Sequence, residues 1–354
     1  MSIFVKMLPA ANGDCFLIKI KDQKDRNILI DGGKGIVCHH QLKEEFKELK
    51  DNNSNIDLLI LTHIDDDHIS GIIRLYQDEK IDKSIIKDVW FNSGEIISNY
   101  LKDNCGKGSR GIVITPISRK MSVRQGMTLE KEIEKNNHWS KDVVISDQIK
   151  EIGDMKIKVL SPDLETINDL NDKWERELLR LRKQKSKERK MSFITDYHKS
   201  ILELNELSFQ EDTSIFNKSS IAILLEYERH SLLMLGDSHP SIIISSLKNL
   251  GYSESNKLKV DLVKVSHHGS KRNTNTELLN MLDCTNYLIS TDGSKHGLPN
   301  KESLAKIICT MNQPINFYFN YSNMRKIFSQ EECEHFNINC FFLSEENDYT
   351  VEVK

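Results

Sequence analysis

Short apolar or alternating runs, cut by Gly, Asn and Asp turns, dominate both ends of the chain, and each reads as a β-strand. Ile3 to Leu8, Cys15 to Ile20 and Ile28 to Ile30 open the series, punctuated by Asn12-Gly13-Asp14 and Asp31-Gly32-Gly33. Residues 40 to 50 carry apolar positions at helical spacing among charges, which predicts a surface helix. Asp57 to Leu61 then reads as a buried strand ending in Thr62-His63. Val89 to Phe91 and Ile157 to Leu160 are expected strands, and Gly126 to Glu134 an expected helix. After residue 213 the pattern resumes with a hairpin, Ser219 to Glu226 and Ser231 to Leu235. Val260 to Val265, Tyr287 to Ser290, Asn316 to Phe319 and Tyr349 to Val353 follow as strands, with Pro240 to Leu250 and Lys301 to Met311 as helices. Such an arrangement, in two halves, predicts a layered α/β architecture.

Between the halves the texture changes. Residues 164–211 contain no glycine or proline, and Lys173 to Lys190 carries nine Lys or Arg against three Glu. The segment is expected to be a charged helical insertion, either a solvated hairpin or a basic arm that touches phosphates. It enlarges a single domain spanning residues 1–354 rather than adding a second one.

Composition narrows the classes. The 354 residues hold 49 basic and 53 acidic side chains, a net charge of -4, which argues against bulk-charge adhesion to nucleic acid. Seven scattered cysteines without a CxxC spacing fit reduced thiols, not a disulfide framework or a thiolate zinc site. No apolar run is long enough to cross a bilayer, and no secretory segment follows Met1. A cytoplasmic protein is therefore expected.

The chemistry concentrates at strand ends. Thr62-His63-Ile64-Asp65-Asp66-Asp67-His68-Ile69-Ser70-Gly71 places His63, Asp65, Asp67 and His68, all metal-competent, within one tight loop. Imidazole with carboxylate and no thiolate suits Zn2+, Mn2+ or Fe; the alternative is an acidic turn with incidental histidines. Two later strands end in ligand-type residues as well, at Gly236-Asp237 and at Ser266-His267-His268-Gly269-Ser270. Strand ends at one edge of a sheet converge, and separated ligands are how a dinuclear site is built.

This order of motifs resembles the metallo-β-lactamase fold superfamily, and within it the hydrolase domain of ComEC-type DNA-uptake proteins and their stand-alone soluble relatives. Gly13-Asp14-Cys15-Phe16-Leu17-Ile18, Ile30-Asp31-Gly32-Gly33, Asn217-Lys218-Ser219-Ser220-Ile221 and Ser294-Lys295-His296-Gly297-Leu298-Pro299 resemble further parts of that pattern. The resemblance implies a four-layer αββα sandwich and two divalent metal ions, Zn2+ or Mn2+. His63 and Asp65 would hold one ion and Asp67, His68 and His268 the other, with Asp237 bridging. His267 and His296 would face the substrate, and Asp14 and Asp31 would brace the ligand loops. The residues leave open which of His267 and His268 is the ligand; His268 is preferred.

The chain departs from most of the superfamily in having Asp65 where a second histidine is usual, and no histidine near Asn217 to Ile221. More oxygen ligands at the first ion weaken the preference for Zn2+ and admit Mn2+. The expected reaction is hydrolysis of a phosphodiester by a bridging hydroxide, with Asp67 as ligand and orienting base. Nucleic acid is the expected partner, with Lys264, Lys271, Arg272 and Lys295 as candidate phosphate guides. Protein partners from an antiviral defence operon, and no membrane, complete the expectation. The alternatives are a hydrolase of a small phosphoester, cyclic nucleotide or lactone, and a metal-stabilised regulatory subunit of a defence assembly.

Overall fold

The computed structural model describes residues 2–105, 121–136, 138–181 and 195–353, so the basic stretch beyond Leu181 lies outside the described residues. In chain order the strands are β1 (Ser2–Met7), β2 (Phe16–Lys21), β3 (Arg26–Ile30), β4 (Leu58–Ile60), β5 (Val89–Trp90), β6 (Ile149–Ile152), β7 (Met155–Ser161) and β8 (Ala222–Tyr227). They continue as β9 (His230–Met234), β10 (Leu258–Lys259), β11 (Leu262–Lys264), β12 (Leu282–Asp283), β13 (Asn286–Ile289), β14 (Ile315–Phe319), β15 (Ile338–Phe342) and β16 (Thr350–Val353). One sheet has the order β16-β1-β2-β3-β4-β5 and the other β15-β14-β13-β11-β9-β8-β7-β6.

The central strands, among them β3, β4, β8 and β11, are buried on both faces because both faces are covered. Ile18, Ile28 and Leu58 of the first sheet meet Ile157, Leu225, Leu232 and Leu262 of the second in the core between the sheets. Their neighbours point the other way. Leu17, Leu29 and Leu59 pack under α1 (Ile36–Asp51) and α2 (Asp66–Gln77) through Leu42, Phe46, Ile69 and Ile72. Leu224, Leu233 and Val263 pack under the helices Pro240–Asn249 and Lys301–Met311 through Ile243, Leu247, Leu304 and Ile308. Three apolar layers separate four layers of secondary structure, the αββα arrangement that the resemblance implies.

β3, β4 and β5 are mutually parallel, as are β9, β11, β13, β14 and β15. Their carboxyl ends therefore reach one rim. The antiparallel pairing of β2 with β3 brings Asp14, just ahead of β2, to the same rim.

The expected strands and helices form close to their expected bounds, with two differences of substance. The motif expected as a loop becomes helical at Asp66, and α2 carries Asp67 and His68 in its first turn. Carboxylates are favoured at a helix amino end, where backbone N–H groups lack partners, so the acidic run starts the helix. The other difference concerns the insertion. Its first helix, α5 in chain order after α3 (Gly94–Cys105) and α4 (Met121–Glu134), spans Leu164–Leu181 and buries Ile167, Leu170 and Trp174. Past the undescribed residues, Asp196 accepts hydrogen bonds from the Lys301 and Glu302 amides at 2.9 and 3.0 Å. Lys301 and Lys306 bind backbone carbonyls of Lys199 and Leu207, so this part is stitched to the helix Lys301–Met311 rather than solvated. Among the described residues, no helix is long and apolar enough to cross a membrane.

α2 lies almost against the loop after β3. The Gly71 amide donates to Gly33 O at 3.0 Å and the Gly32 amide to His68 O at 3.0 Å. A Cβ on Gly71 would stand 1.8 Å from Gly32 O. Gly71→Ala is expected to cost about 3 kcal/mol, read as a lower denaturant midpoint at unchanged slope. A second expectation concerns Glu130 of α4, which is buried against the Ser93 hydroxyl. Burial, reinforced by Glu95 and Glu134, pushes its carboxyl up to about 7. The unfolded chain releases that proton near 4.5, so this group removes stability as pH rises from about 5 through 7. Glu130→Gln should raise the melting temperature at pH 8 and leave it nearly unchanged at pH 4.

Candidate metal centre

Asp237 follows β9 through a glycine with positive φ and is 2% exposed. Its Oδ2 faces four imidazoles: His68 Nε2 at 3.5 Å, His267 Nε2 and His268 Nε2 at 3.7 Å, and His63 Nε2 at 3.8 Å. These distances are too long for good hydrogen bonds. They match donors sharing a cation, since bonds of ~2.1 Å at a tetrahedral angle put ligand atoms about 3.4 Å apart. The Nε2 atoms of His63, His68 and His268, and Asp237 Oδ1, are buried with no hydrogen-bond partner among the described residues.

The other ring nitrogens are held in place. His268 Nδ1 donates to Ser290 O at 2.8 Å, which leaves its Nε2 bare. His68 Nδ1 donates to Asp31 Oδ2 at 2.8 Å. The Thr62 hydroxyl donates to the same Asp31 oxygen at 2.7 Å, so it accepts from His63 Nδ1 at 3.1 Å. One buried carboxylate thus orients two imidazoles, directly and through a hydroxyl. His267 differs: its Nδ1 meets Asn273 Oδ1 at 3.0 Å, and Asp212 lies 3.6 Å away.

Two donor groups lie at the rim: His63 with His68 and Asp237, and Asp67 with His68 and His268. Asp65, with Oδ2 3.9 Å from His63 Nε2, stands beside the first. The Asp67 carboxylate accepts from the Asn12 amide. His296 lies on the exposed late loop with a left-handed backbone. Asp14 and Asp31 lie beneath, and each joins His68 or His268 in a deeper donor group.

Lys264, expected as a phosphate guide, is instead 1% exposed and donates to Gly236 O at 2.6 Å while pairing with Asp14. It cannot reach a substrate, because β11 directs it inward with Leu262. Lys271, Arg272 and Lys295 are exposed. The residues that sequence reasoning missed are those touching through turns. Asn12 sat unnoticed in a turn triplet, and Asn273 and Asp212 carry no motif. His239, buried with its Nε2 3.6 Å from Asp212, also escaped.

Electrostatics follow from the crowding. Burial and His68 hold His63 well below its ordinary value, leaving it neutral. Burial opposes charge on Asp237, but His68, His268 and His267 outweigh it and hold the carboxyl well below its usual range. Against the same penalty, Asp237 and Asp212 push His267 up to about 9. Burial and the Asp67 carboxylate push Asp65 up to about 6. Partnerless Nε2 atoms of His63, His68 and His268 around a buried anion fit a divalent cation.

The sequence model of the Metallo-beta-lactamase superfamily matches residues 8–187, just over half of the chain. The chain belongs to that superfamily, whose members are mostly metal-dependent hydrolases. A search of curated proteins found no match. Among solved structures, the chain is similar to the metallo-beta-lactamase fold protein YhfI from Bacillus subtilis at 12% identity and TM-score 0.44, covering 99% of this chain and 100% of that one. It is also similar to Zn2+-bound PqqB from Methylobacterium extorquens, at 9% identity and TM-score 0.43 over 99% of both chains. Similarity extends to CmlA, a diiron beta-hydroxylase from Streptomyces venezuelae, at 10% identity and TM-score 0.40. That match covers 100% of this chain but 54% of CmlA, so the chain spans about half its length. The family assignment rests on the sequence model.

The orienting bonds make a prediction. Asp31→Ala should weaken metal binding about 10- to 100-fold for both donor groups. Thr62→Val should weaken only the ion beside His63, so titration with Mn2+ should show one site impaired and one unchanged.

Proposed function

We propose that this chain is a metal-dependent phosphodiesterase acting on nucleic acid, a stand-alone relative of the ComEC-type hydrolase domain. The observation that carries the reading is the pair of rim donor groups that share His68, with Asp237 Oδ2 facing imidazoles of both. It is supported by the HxDxDH, Gly-Asp and Ser-His-His-Gly-Ser motifs in that order. His63 and Asp65 would hold one divalent ion and Asp67, His68 and His268 the other, with Asp237 available to both. When bound, such a pair supplies an acidified water and a clamp on phosphoryl oxygens. With Asp65 and Asp237 as oxygen donors beside His63, the preference for Zn2+ weakens and Mn2+ is admitted.

The remaining roles belong to side chains. Asn12 fixes the Asp67 carboxylate that orients the attacking water. Asn273 fixes His267, whose Nε2 faces the centre and serves a phosphoryl oxygen or the leaving group. His296 lines the mouth, and Lys271, Arg272 and Lys295 meet phosphates at the rim. Cytoplasmic location and protein partners from a defence operon belong to this reading through the stand-alone relatives alone.

The test is a substrate panel with chelated and reloaded protein. Bis-p-nitrophenyl phosphate and labelled single- and double-stranded DNA should be cleaved with Mn2+ or Zn2+ and spared after chelation. Asp67→Ala and His268→Ala should each lower kcat by about a thousandfold or more. Cleavage of only a cyclic nucleotide, a phosphocholine ester or a lactone would replace the substrate; undiminished activity in either variant would remove these roles.

A further inference from the structure

β11 reads Leu262-Val263-Lys264, and its alternation sends Leu262 into the core between the sheets and Val263 toward the helices. Lys264 takes the inward direction, where an apolar residue is expected. Its side chain lines a small void with Phe16, Ile30, Ile60, Ile223 and Met234. An ammonium there is costly unless it is paired. Its Nζ binds Gly236 O at 2.6 Å and the Asp14 carboxylate, and lies 3.6 Å from Asp237 Oδ1.

Among the described residues the centre offers four overlapping donor groups, two at the rim and two that include Asp14 beneath it. Both deep groups, Asp14 with Asp237 and His268, and Asp14 with Asp31 and His68, depend on Asp14. Asp14 is the residue that Lys264 engages. Asp237 Oδ1 also faces Lys264, which leaves Oδ2 for the imidazoles. Charges agree: with His267 set against Asp212, the carboxylates of Asp14, Asp31, Asp65, Asp67 and Asp237 would balance two divalent ions and one ammonium.

We propose that Lys264 is a built-in third cation that occupies the deep half of the centre, limits it to two metal ions at the rim, and holds the metal-free site together. The inference rests on the two-ion reading above. It makes Lys264 a positioning residue, with no contact to substrate.

The experiment compares wild type, Lys264→Met, and Lys264→Met combined with Asp14→Asn. Metal-free melting temperature and ions bound per chain after dialysis against Mn2+ are measured. Lys264→Met should melt about 10 °C lower without metal, recover most of that loss with Mn2+, and take up a third ion. The double variant, having lost one anion with the cation, should regain metal-free stability and return to two ions. If Lys264→Met does not fold, the double variant decides: folding with two ions supports the assignment, and failure to fold overturns it. A wild-type melting temperature in metal-free Lys264→Met, or two ions in that variant, would also overturn it. Wild-type protein that takes up no Mn2+ or Zn2+ defeats the two-ion reading instead, while the metal-free melts judge Lys264 separately.

Discussion

A carboxylate buried at the end of β9 and surrounded by imidazole nitrogens at 3.5 to 3.8 Å constrains everything near it. Asp237 is nearly inaccessible to water, and three of the facing nitrogens have no hydrogen-bond partner among the described residues. Desolvated polar atoms without partners are expensive, so the arrangement persists only if something else compensates. In this fold, a large two-faced core supplies stability around the rim, and the donor set fits a cation.

Beneath the rim, the structure invests in orientation. Asp31 reaches His68 directly and His63 through Thr62, so two rings share one anchor. Ser290 O, at the end of β13, aims His268. Close approaches at Gly13, Gly32 and Gly71 let the loops after β1 and β3 press on α2 with no side chain between them. These contacts connect the ligand motif to both sheets.

Much of this was legible along the chain. Apolar runs ending in His63, Asp237 and His267-His268 marked three converging strand ends, because a strand that is buried along its length must expose its chemistry at its tip. The residues that escaped share a different character. Asn12, Asp212 and His239 act through contacts tens of positions apart, Asn273 reaches His267 from the next turn, and nothing nearby in sequence distinguishes them from turn or cap residues. α2 escaped because an acidic ligand run reads as a loop until its carboxylates are seen at a helix start. Lys264 was visible but misassigned: a cation beside a motif reads as exposed until the strand direction shows it pointing inward.

The sequence by itself determined the strand and turn rhythm, the donor types, and the membership in a metal-binding superfamily, because periodicity and local motifs are properties of neighbours. Only the tertiary structure decided that His63, His68, His267 and His268 face one oxygen, that Asp31 serves two of them, and that Lys264 is internal. Those facts depend on how two sheets stack and which strand ends share a rim. Packing sets them, with nitrogen–oxygen separations below 4 Å between residues far apart in the chain.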